Sequence, residues 1–289
     1  MNVWLLAARP KTLPAAVAPV LIGTAMAWTE GVFHLWSALA AALGALLIQI
    51  GTNFANDYFD YTKGTDTEER LGPLRVTQAG LVSPGAMKTA TATVFALALL
   101  IGVYLVWRGG WPIVVIGLLS ILFGVLYTAG PYPLGYNGLG DIFVMIFFGP
   151  IAVGGTYYVQ ALDITWPVIV AGLGPGLLSV AILVVNNLRD LDNDRTAGKR
   201  TLAVRFGRTF SITQYIACVV FAVLTPLAVV VLLRSHYWTL LSALMLLLAL
   251  PVIRSVARDR GVVLNQTLAA TGRLLLVYSA LFSLGWSLG

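Results

Sequence analysis

The chain has few charged residues, since they make up 10% of its 289 residues against about 25% in an ordinary soluble domain. It also has a single cysteine, Cys218, which excludes an intramolecular disulfide. No basic block interleaved with aromatic residues accompanies the net charge of +6, which argues against nucleic-acid binding. Hydrophobic residues make up 58% of the chain. This composition is typical of a protein embedded in a lipid bilayer.

Long apolar runs recur along the whole chain. A helix needs about 20 mainly apolar residues to cross a hydrocarbon layer about 30 Å thick. The runs are continuous rather than alternating, which favours helices over barrel strands. The sequence therefore predicts an all-α membrane protein, a single domain over residues 1–289 with nine transmembrane helices. The predicted spans are 12–28, 35–54, 87–107, 111–128, 139–159, 166–187, 209–233, 237–253 and 268–288.

Lysine and arginine are distributed unevenly between the predicted loops. In membrane proteins these residues concentrate in cytoplasmic loops. With the N-terminus inside, the predicted outer loops hold only Arg108 and Arg234, and Arg273 lies inside the last span, so the rest of the 18 basic residues fall on the inner side. The distribution predicts a cytoplasmic N-terminus.

Carboxylates are scarce and clustered. Of the 12 acidic residues, five lie between the second and third predicted spans and three between the sixth and seventh, and both of these loops are predicted to be cytoplasmic. Asn186, Asp190 and Asp194 recur every four residues, which places them on one face of a helix. Asn56 and Asp60 repeat that interval after the second span. The two regions therefore look like two versions of one sequence motif.

Grouped carboxylates near an apolar boundary repel one another and are costly to ionise. A divalent cation offsets this, and Mg²⁺ is typically held by one or two carboxylates together with substrate phosphates. Carboxylates for a metal with cations for anionic oxygens indicate a diphosphate site, whereas the alternative is an ordinary solvated surface. The basic residues near the two clusters are Lys63, Arg70, Arg75, Arg189, Arg195, Lys199 and Arg200.

At these residues the chain resembles the UbiA superfamily of intramembrane aromatic prenyltransferases. The pattern of that superfamily is Asn-x3-Asp-x3-Asp after the second and the sixth helix of a nine-helix bundle. The second motif is matched in full by Asn186, Asp190 and Asp194. The first is matched by Asn56 and Asp60, but position 64 is glycine and the next carboxylate is Asp66, which leaves its third ligand open.

Within the superfamily the chain is most similar to the branch that prenylates 1,4-dihydroxy-2-naphthoate in menaquinone biosynthesis. This similarity implies transfer of a polyprenyl group from an allylic prenyl diphosphate to the aromatic acid, with Mg²⁺ as cofactor and loss of carbon dioxide. It further implies a bacterial inner membrane, an active site facing the cytoplasm, and membrane lipid as a partner. Prenyl chain length and oligomeric state stay open. The segments that carry the similarity are 8–14, 56–66, 72–75, 130–136, 155–160 and 186–207.

The resemblance also implies roles for individual residues. Metal binding is assigned to Asp57, Asp60, Asp66, Asp190 and Asp194, and contact with diphosphate oxygens to Arg75, Lys199, Arg200 and Lys63. Asn56 and Asn186 are assigned to substrate binding. Aromatic faces can hold a carbocation, which adds Tyr127, Tyr132, Tyr136 and Tyr157 as substrate-binding candidates, although tyrosines also form interfacial belts.

Two alternative functions are open at this point. One stays within the superfamily and changes the acceptor to 4-hydroxybenzoate, homogentisate or haem. The other is a transporter that binds ions or protons through membrane carboxylates, although transporters usually place such residues near the middle of the bilayer.

Overall fold

The computed structural model describes residues 2–65 and 71–289, and these residues are mainly helical with no β-strand. The all-α fold predicted from the apolar runs is therefore confirmed. Three short 3₁₀ turns, Pro10–Thr12, Tyr237–Leu244 and Gly261–Val263, lie between helices. The helices are α1 (Val3–Ala8), α2 (Pro14–Thr29), α3 (Leu35–Thr62), α4 (Pro84–Gly109), α5 (Trp111–Leu126), α6 (Gly140–Phe147), α7 (Pro150–Ala161), α8 (Trp166–Ala171), α9 (Leu173–Arg189), α10 (Leu191–Thr196), α11 (Leu202–Leu233), α12 (Met245–Arg258) and α13 (Leu264–Ser287).

The apolar helices agree with the predicted spans in position. Seven helical segments of the described chain are long and apolar enough to cross a membrane, and the pair Val3–Thr12 and Pro14–Thr29, bent by 53°, makes an eighth if it is one span. The helix at the fourth predicted span, α5, has only 16 residues, or about 24 Å, against a hydrocarbon layer of about 30 Å. The number nine and the inside N-terminus stay predictions.

Two of the predicted spans are each built from two helices. The span at 139–159 breaks between α6 and α7, and the span at 166–187 breaks at Gly172, between α8 and α9. The two breaks touch, because a Cβ on Gly172 would lie 2.6 Å from Cα of Pro150. Only glycine allows this approach, and Pro150 has no N–H with which to continue α6.

The hydrophobic core lies where α2, α9, α11 and α13 pack together. Ile22, Leu178, Tyr215 and Leu275, one from each of these helices, are fully buried. In contrast, α4 and α5 expose many of their apolar side chains, as expected of helices that face lipid. The side chains are therefore well buried around α2, α9, α11 and α13 and more exposed around α4 and α5.

The helices α3 and α9 end at the same end of the bundle, which we call the motif end. The far end is the one where α2 ends at Thr29 and α3 begins at Leu35. The side chain of Asn53, near the motif end of α3, donates to the carbonyl of Ala8, 2.9 Å away, so the start of the chain also lies at the motif end. Because the clusters lie at the ends of α3 and α9, both are at the motif end of the bundle.

Candidate active site

The first motif (Asn56, Asp57 and Asp60) occupies the last turns of α3, which continues past the predicted end of the span to Thr62. Asp57 and Asp60 are each 1% exposed, although both are acidic. Buried carboxylates need compensating charge or hydrogen bonds. The partners of these two residues therefore define the site.

Asp60 accepts from three side chains. Arg75 forms a close ion pair with Oδ2, and the hydroxyl of Tyr136 donates to Oδ1. The hydroxyl of Thr65 lies 3.3 Å from the same Oδ1. Because Arg75 is 6% exposed, the pair is shielded from water, and it fixes the position of the cation beside the motif.

Asp57 binds backbone rather than a cation. Its carboxylate oxygens accept from the N–H groups of Val76 and Thr77, at 3.2 and 3.1 Å. These contacts hold the start of the 75–82 segment against α3 and so place Arg75 next to Asp60. Asp57 therefore holds this segment in place, and the metal-binding role assigned to it stays a prediction.

The second motif (Asn186, Asp190 and Asp194) lies across a short break in the helix. α9 ends at Arg189, and α10 begins at Leu191, so only Asp190 lies between them. The spacing of four is nevertheless kept, because the N–H of Asp190 bonds to the carbonyl of Asn186 at 3.1 Å and the N–H of Asp194 to that of Asp190 at 2.7 Å. The three side chains therefore follow one another at the tip of α9, as the spacing predicts.

Each carboxylate of the second motif faces its own cation. Arg189 donates through Nε and Nη2 to the two oxygens of Asp190, at 2.8 and 2.5 Å. Nζ of Lys199 lies 3.3 Å from Oδ1 of Asp194. The sequence indicated basic residues around this cluster, but it did not indicate that Arg189 would be buried within it.

Tyr136 joins the two motifs. Its hydroxyl donates to Asp60 of the first motif. Its ring lies beneath two ammonium groups, with Nζ of Lys63 at 5.2 Å and Nζ of Lys199 at 4.7 Å from the centroid. Since Lys199 also pairs with Asp194, one aromatic ring connects a carboxylate of the first motif to a carboxylate of the second.

Lys63 is an exposed cation at the end of α3. Its Nζ donates to the carbonyl of Gly130 at 3.0 Å. Desolvation lowers the pKa of Lys63 below the usual lysine value, and the nearby charge of Asp60 opposes that shift. The hydrogen bond to Gly130 holds this ammonium group beside the first motif.

Asn56 and Asn186 line the same cavity, which has a volume of about 610 Å³. Along α3 its lining runs from Asn56 to Ala41, which is about 22 Å of helix. Most of the polar lining residues lie toward the motif end, and the remainder of the wall is mainly apolar. A ligand with a polar head and a long apolar tail fits this arrangement.

One wall of the cavity is thin. Leu99 and Val103 of α4 and Leu118 of α5 line it, and they are 48%, 66% and 54% exposed. This wall faces the lipid side of the bundle.

The tyrosines assigned from the sequence separate into two groups. Tyr127 lines the cavity. Tyr136 is the bridge described above. The ring of Tyr132 is 61% exposed, and no cavity contact involves it.

Tyr157 does not reach the site. Its hydroxyl donates to Glu30, the residue that caps the far end of α2. Tyr157 lies near the end of α7 that points away from both motifs, and the substrate-binding role assigned to it stays a prediction. Its position fits the alternative role of an interfacial tyrosine.

Arg200 contributes its backbone to the cluster, and Asp66 cannot be placed. The backbone N–H of Arg200 donates to the carbonyl of Tyr136 at 2.6 Å, while its side chain is exposed. Asp66 lies outside the described residues, so its metal-binding role stays a prediction.

Several residues that shape the site carry no motif signal. The hydroxyl of Thr128 donates to Oδ1 of Asn56 at 2.8 Å, and Asn265 of α13 accepts from Nη1 of Arg189 at 2.8 Å. Arg9 lines the cavity with a left-handed backbone, φ 51°, which is uncommon for a residue other than glycine. Only their contacts across the fold identify them.

The carboxylates suit a hard divalent cation bound together with a phosphate. Among the described residues, no three side chains of His, Cys, Asp or Glu stand close enough to hold a metal ion by themselves. Asp60, Asp190 and Asp194 are instead each paired with a cation. Mg²⁺ commonly takes one or two carboxylates and completes its shell with phosphate oxygens and water. The donor set therefore fits Mg²⁺ that arrives with a diphosphate.

Comparison with known proteins agrees with this geometry. The chain is 40% identical to 1,4-dihydroxy-2-naphthoate octaprenyltransferase of Escherichia coli, over 98% of this chain and 94% of that protein. It is also 40% identical to the enzyme of the same name from Mycobacterium tuberculosis, over 96% of this chain and 94% of that protein.

Among solved structures, a UbiA homolog from Archaeoglobus fulgidus bound to DMAPP and Mg²⁺ has the same fold, with a TM-score of 0.70 at 14% identity over 98% of this chain and 99% of that one. The model of the UbiA prenyltransferase family matches residues 16–285. The chain is an integral membrane protein that belongs to the UbiA prenyltransferase family.

Proposed function

We propose that the protein transfers a polyprenyl group from an allylic prenyl diphosphate to 1,4-dihydroxy-2-naphthoate, with Mg²⁺ as cofactor and loss of carbon dioxide, a step of menaquinone biosynthesis. The observation that carries the proposal is the pairing of both motifs through Tyr136 at one end of a long apolar cavity. The acceptor is supported by the names of the relatives from Escherichia coli and Mycobacterium tuberculosis. The donor and the metal are supported by the homolog structures bound to DMAPP or GPP with Mg²⁺.

We assign Mg²⁺ to the carboxylates of Asp60, Asp190 and Asp194, with Asp66 as a further predicted ligand. Bound Mg²⁺ neutralises the negative charge that develops on the diphosphate as its bond to the prenyl carbon breaks. Asn56 and Asn186 face the cavity beside these carboxylates and orient the polar head of the substrate. Asp57 acts on the site through the segment that it holds.

The cations of the site act on the leaving group. Arg75, Lys63 and Lys199 are held around Asp60 and Tyr136 before the substrate binds. Donors that are already oriented toward developing charge stabilise a transition state without reorganisation. We assign Arg200 to the same role from its exposed position at the rim.

The apolar cavity protects the reacting carbons from water. Phe123 and Phe143, whose ring centroids are 4.6 Å apart, line it with Tyr127, and aromatic faces stabilise cations without bonding to them. The carbon to oxygen bond of the allylic diphosphate breaks, and its electron pair leaves with the diphosphate.

The ring carbon that carries the carboxylate then bonds to the allylic carbon. Carbon dioxide leaves, and the electron pair of its bond restores the aromatic ring. The products are the prenylated naphthalenediol, carbon dioxide and diphosphate. Because carbon dioxide takes the place of a departing ring proton, the step needs no general base, which agrees with a site whose carboxylates are paired with cations.

We further propose that the chain forms one domain of nine spans in a bacterial inner membrane, with its N-terminus and active site on the cytoplasmic side. The support is the concentration of lysine and arginine in the loops at the motif end.

The proposal is tested with purified protein in detergent, a polyprenyl diphosphate and a panel of acceptors. We expect Mg²⁺-dependent transfer to 1,4-dihydroxy-2-naphthoate with release of carbon dioxide, and loss of transfer on chelation. Asp60→Ala and Asp190→Ala are expected to abolish transfer. Asp192→Ala is the matched control, because the Asp192 side chain is 89% exposed and lies between two motif residues. Transfer to 4-hydroxybenzoate but not to the naphthoate would contradict the choice of acceptor.

A further inference from the structure

We propose that Asn265, at the start of α13, is a positioning residue for the diphosphate and metal site. Neither motif contains it, and it lies on a helix that the carboxylates do not share. It acts through two hydrogen bonds, one to Arg189 and one to Leu71, which lies in the same segment as Arg75. This inference rests on the proposed function for its substrate but not for its contacts.

Arg189 is the group through which Asn265 acts on the second motif. All the nitrogens of its guanidinium are engaged: Nε with Asp190 at 2.8 Å, Nη2 with Asp190 at 2.5 Å and with Asn186 at 2.8 Å, and Nη1 with Asn265 at 2.8 Å. Its side chain is fully buried. Arg189 therefore fixes two motif residues at once, and Asn265 is the partner that fixes Arg189 from another helix.

The orientation of the Asn265 amide is forced by its partners. Arginine can only donate, so Oδ1 of Asn265 must face Nη1 of Arg189. The other partner is the carbonyl oxygen of Leu71, which can only accept, and Nδ2 of Asn265 lies 2.8 Å from it. Both ends of the amide are thus used, and only an amide supplies an acceptor and a donor in this geometry.

The contact with Leu71 extends the connection to the first motif. Leu71 comes four residues before Arg75, which pairs with Asp60. The segment is also held at its other side, since Asp57 bonds the N–H groups of Val76 and Thr77. Asn265 therefore ties the tip of α9 to the segment that carries the cation of the first motif, and it sets how far apart the two halves of the diphosphate site lie.

Two substitutions separate the two contacts. Asn265→Leu keeps the approximate size and removes both hydrogen bonds. Asn265→Asp keeps an acceptor for Arg189, as a charge-assisted bond, and removes the donor to Leu71. Gln266→Leu is the matched control, because it deletes an exposed amide at the next position of the same helix.

We expect Asn265→Leu to lower kcat/KM for the prenyl diphosphate by about tenfold to a hundredfold, the loss that follows from hydrogen bonds to a charged group. Asn265→Asp is expected to recover most of kcat and to retain a raised KM for the diphosphate, because Arg189 stays oriented while the Leu71 segment is released. Gln266→Leu is expected to behave as the wild type. Combining Asn265→Leu with Arg189→Lys should cost less than the two separate losses, since the residues act as one unit.

Binding of inorganic pyrophosphate in the presence of Mg²⁺ gives a readout that does not depend on the acceptor or the prenyl chain. We expect the affinity to fall in the order wild type, Asn265→Asp, Asn265→Leu, with thermal unfolding still cooperative in each variant. Unchanged affinity in Asn265→Leu, or an equal loss in Gln266→Leu, would overturn the inference. If the wild type binds Mg²⁺ and pyrophosphate but transfers nothing to the naphthoate, the proposed function is wrong and the order of affinities still decides the role of Asn265. A wild type that binds neither would overturn both.

Discussion

At the scale of single residues, Tyr136 makes two separable kinds of contact with one side chain. Its hydroxyl donates to Asp60, and its ring lies under Lys63 and Lys199. Cation–π contacts contribute about 0.5 to 1 kcal/mol at exposed sites and about 2 kcal/mol where the cation is desolvated. The ring and the hydroxyl can therefore be tested one at a time.

Tyr136→Phe keeps the ring and is expected to lower kcat by about tenfold, since it removes one hydrogen bond to a buried carboxylate. Tyr136→Leu also removes the support of both lysines, and a further rise in KM for the diphosphate is expected. Steady-state kinetics with varied prenyl diphosphate measures both effects. Tyr132→Phe, at an exposed ring, is the control. Equal kinetics for the Phe and Leu variants would show that the ring does not hold the lysines.

Asp57 allows a second test, which asks whether this residue positions the Arg75 segment or binds the metal. Asp57→Asn turns an amide NH₂ toward a backbone N–H that it now cannot satisfy, and a loss of about 1 to 3 kcal/mol of unfolding free energy is expected. Thermal unfolding in detergent measures that loss. The affinity for Mg²⁺ with pyrophosphate is expected to fall less than in Asp60→Asn. A stable Asp57→Asn protein that no longer binds Mg²⁺ would instead make Asp57 a ligand.

The residues of the site were predictable to the extent that their signal is local. The interval from Asn186 to Asp190 to Asp194 depends only on helix geometry, and the structure preserves it. Asn265 lies 76 residues from Arg189 along the chain, and no spacing rule connects two such positions. Tyr157 shows a related limit, since tyrosines near a predicted span look alike until the fold shows which end of the bundle each one occupies.

At the scale of helices, the apolar runs predicted the elements but not their interruptions. A run of apolar residues is compatible with one helix or with two helices that meet in the membrane, because both satisfy the backbone where other helices surround the break. At the breaks, Gly149 and Gly172 let the backbones of the two segments come into direct contact. This contact is a feature of the tertiary structure, which the hydrophobicity of each run does not indicate. α3 in turn extends beyond its predicted end, since Asp57 and Asp60 are accommodated by partners that the sequence did not reveal.

Gly117 of α5 predicts how the cavity selects its substrate. Gly117 lines the cavity, and a Cβ added there meets nothing within 4 Å, so a larger side chain would enter open space. Gly117→Leu is expected to reduce transfer of a long polyprenyl group several-fold and to leave transfer from geranyl diphosphate near the wild-type rate.

The matched control for Gly117 is Gly85→Leu. Gly85 is a helical glycine of α4 that also has nothing within 4 Å but does not line the cavity. The ratio of rates for long and short donors is the measurement. An unchanged ratio in Gly117→Leu would place the prenyl tail elsewhere.

At the scale of the whole molecule, the lone cysteine makes the orientation testable. Cys218 is buried, so a cysteine introduced at the surface reacts alone with a membrane-impermeant maleimide. Asp192→Cys lies at the motif end and is expected to react in inside-out vesicles only. Asp163→Cys, in the exposed turn that follows α7, is expected to react from the opposite side. Labelling of both positions from one side would contradict the predicted topology.

The thin wall formed by Leu99, Val103 and Leu118 has a consequence for enzymology. Since this wall borders lipid, a hydrophobic donor and its product exchange with the surrounding bilayer or micelle rather than with bulk water. The quantity that saturates the enzyme is then the mole fraction of prenyl diphosphate in the amphiphile phase. Diluting that phase with more detergent, at a fixed total amount of donor, lowers the rate as if substrate had been removed.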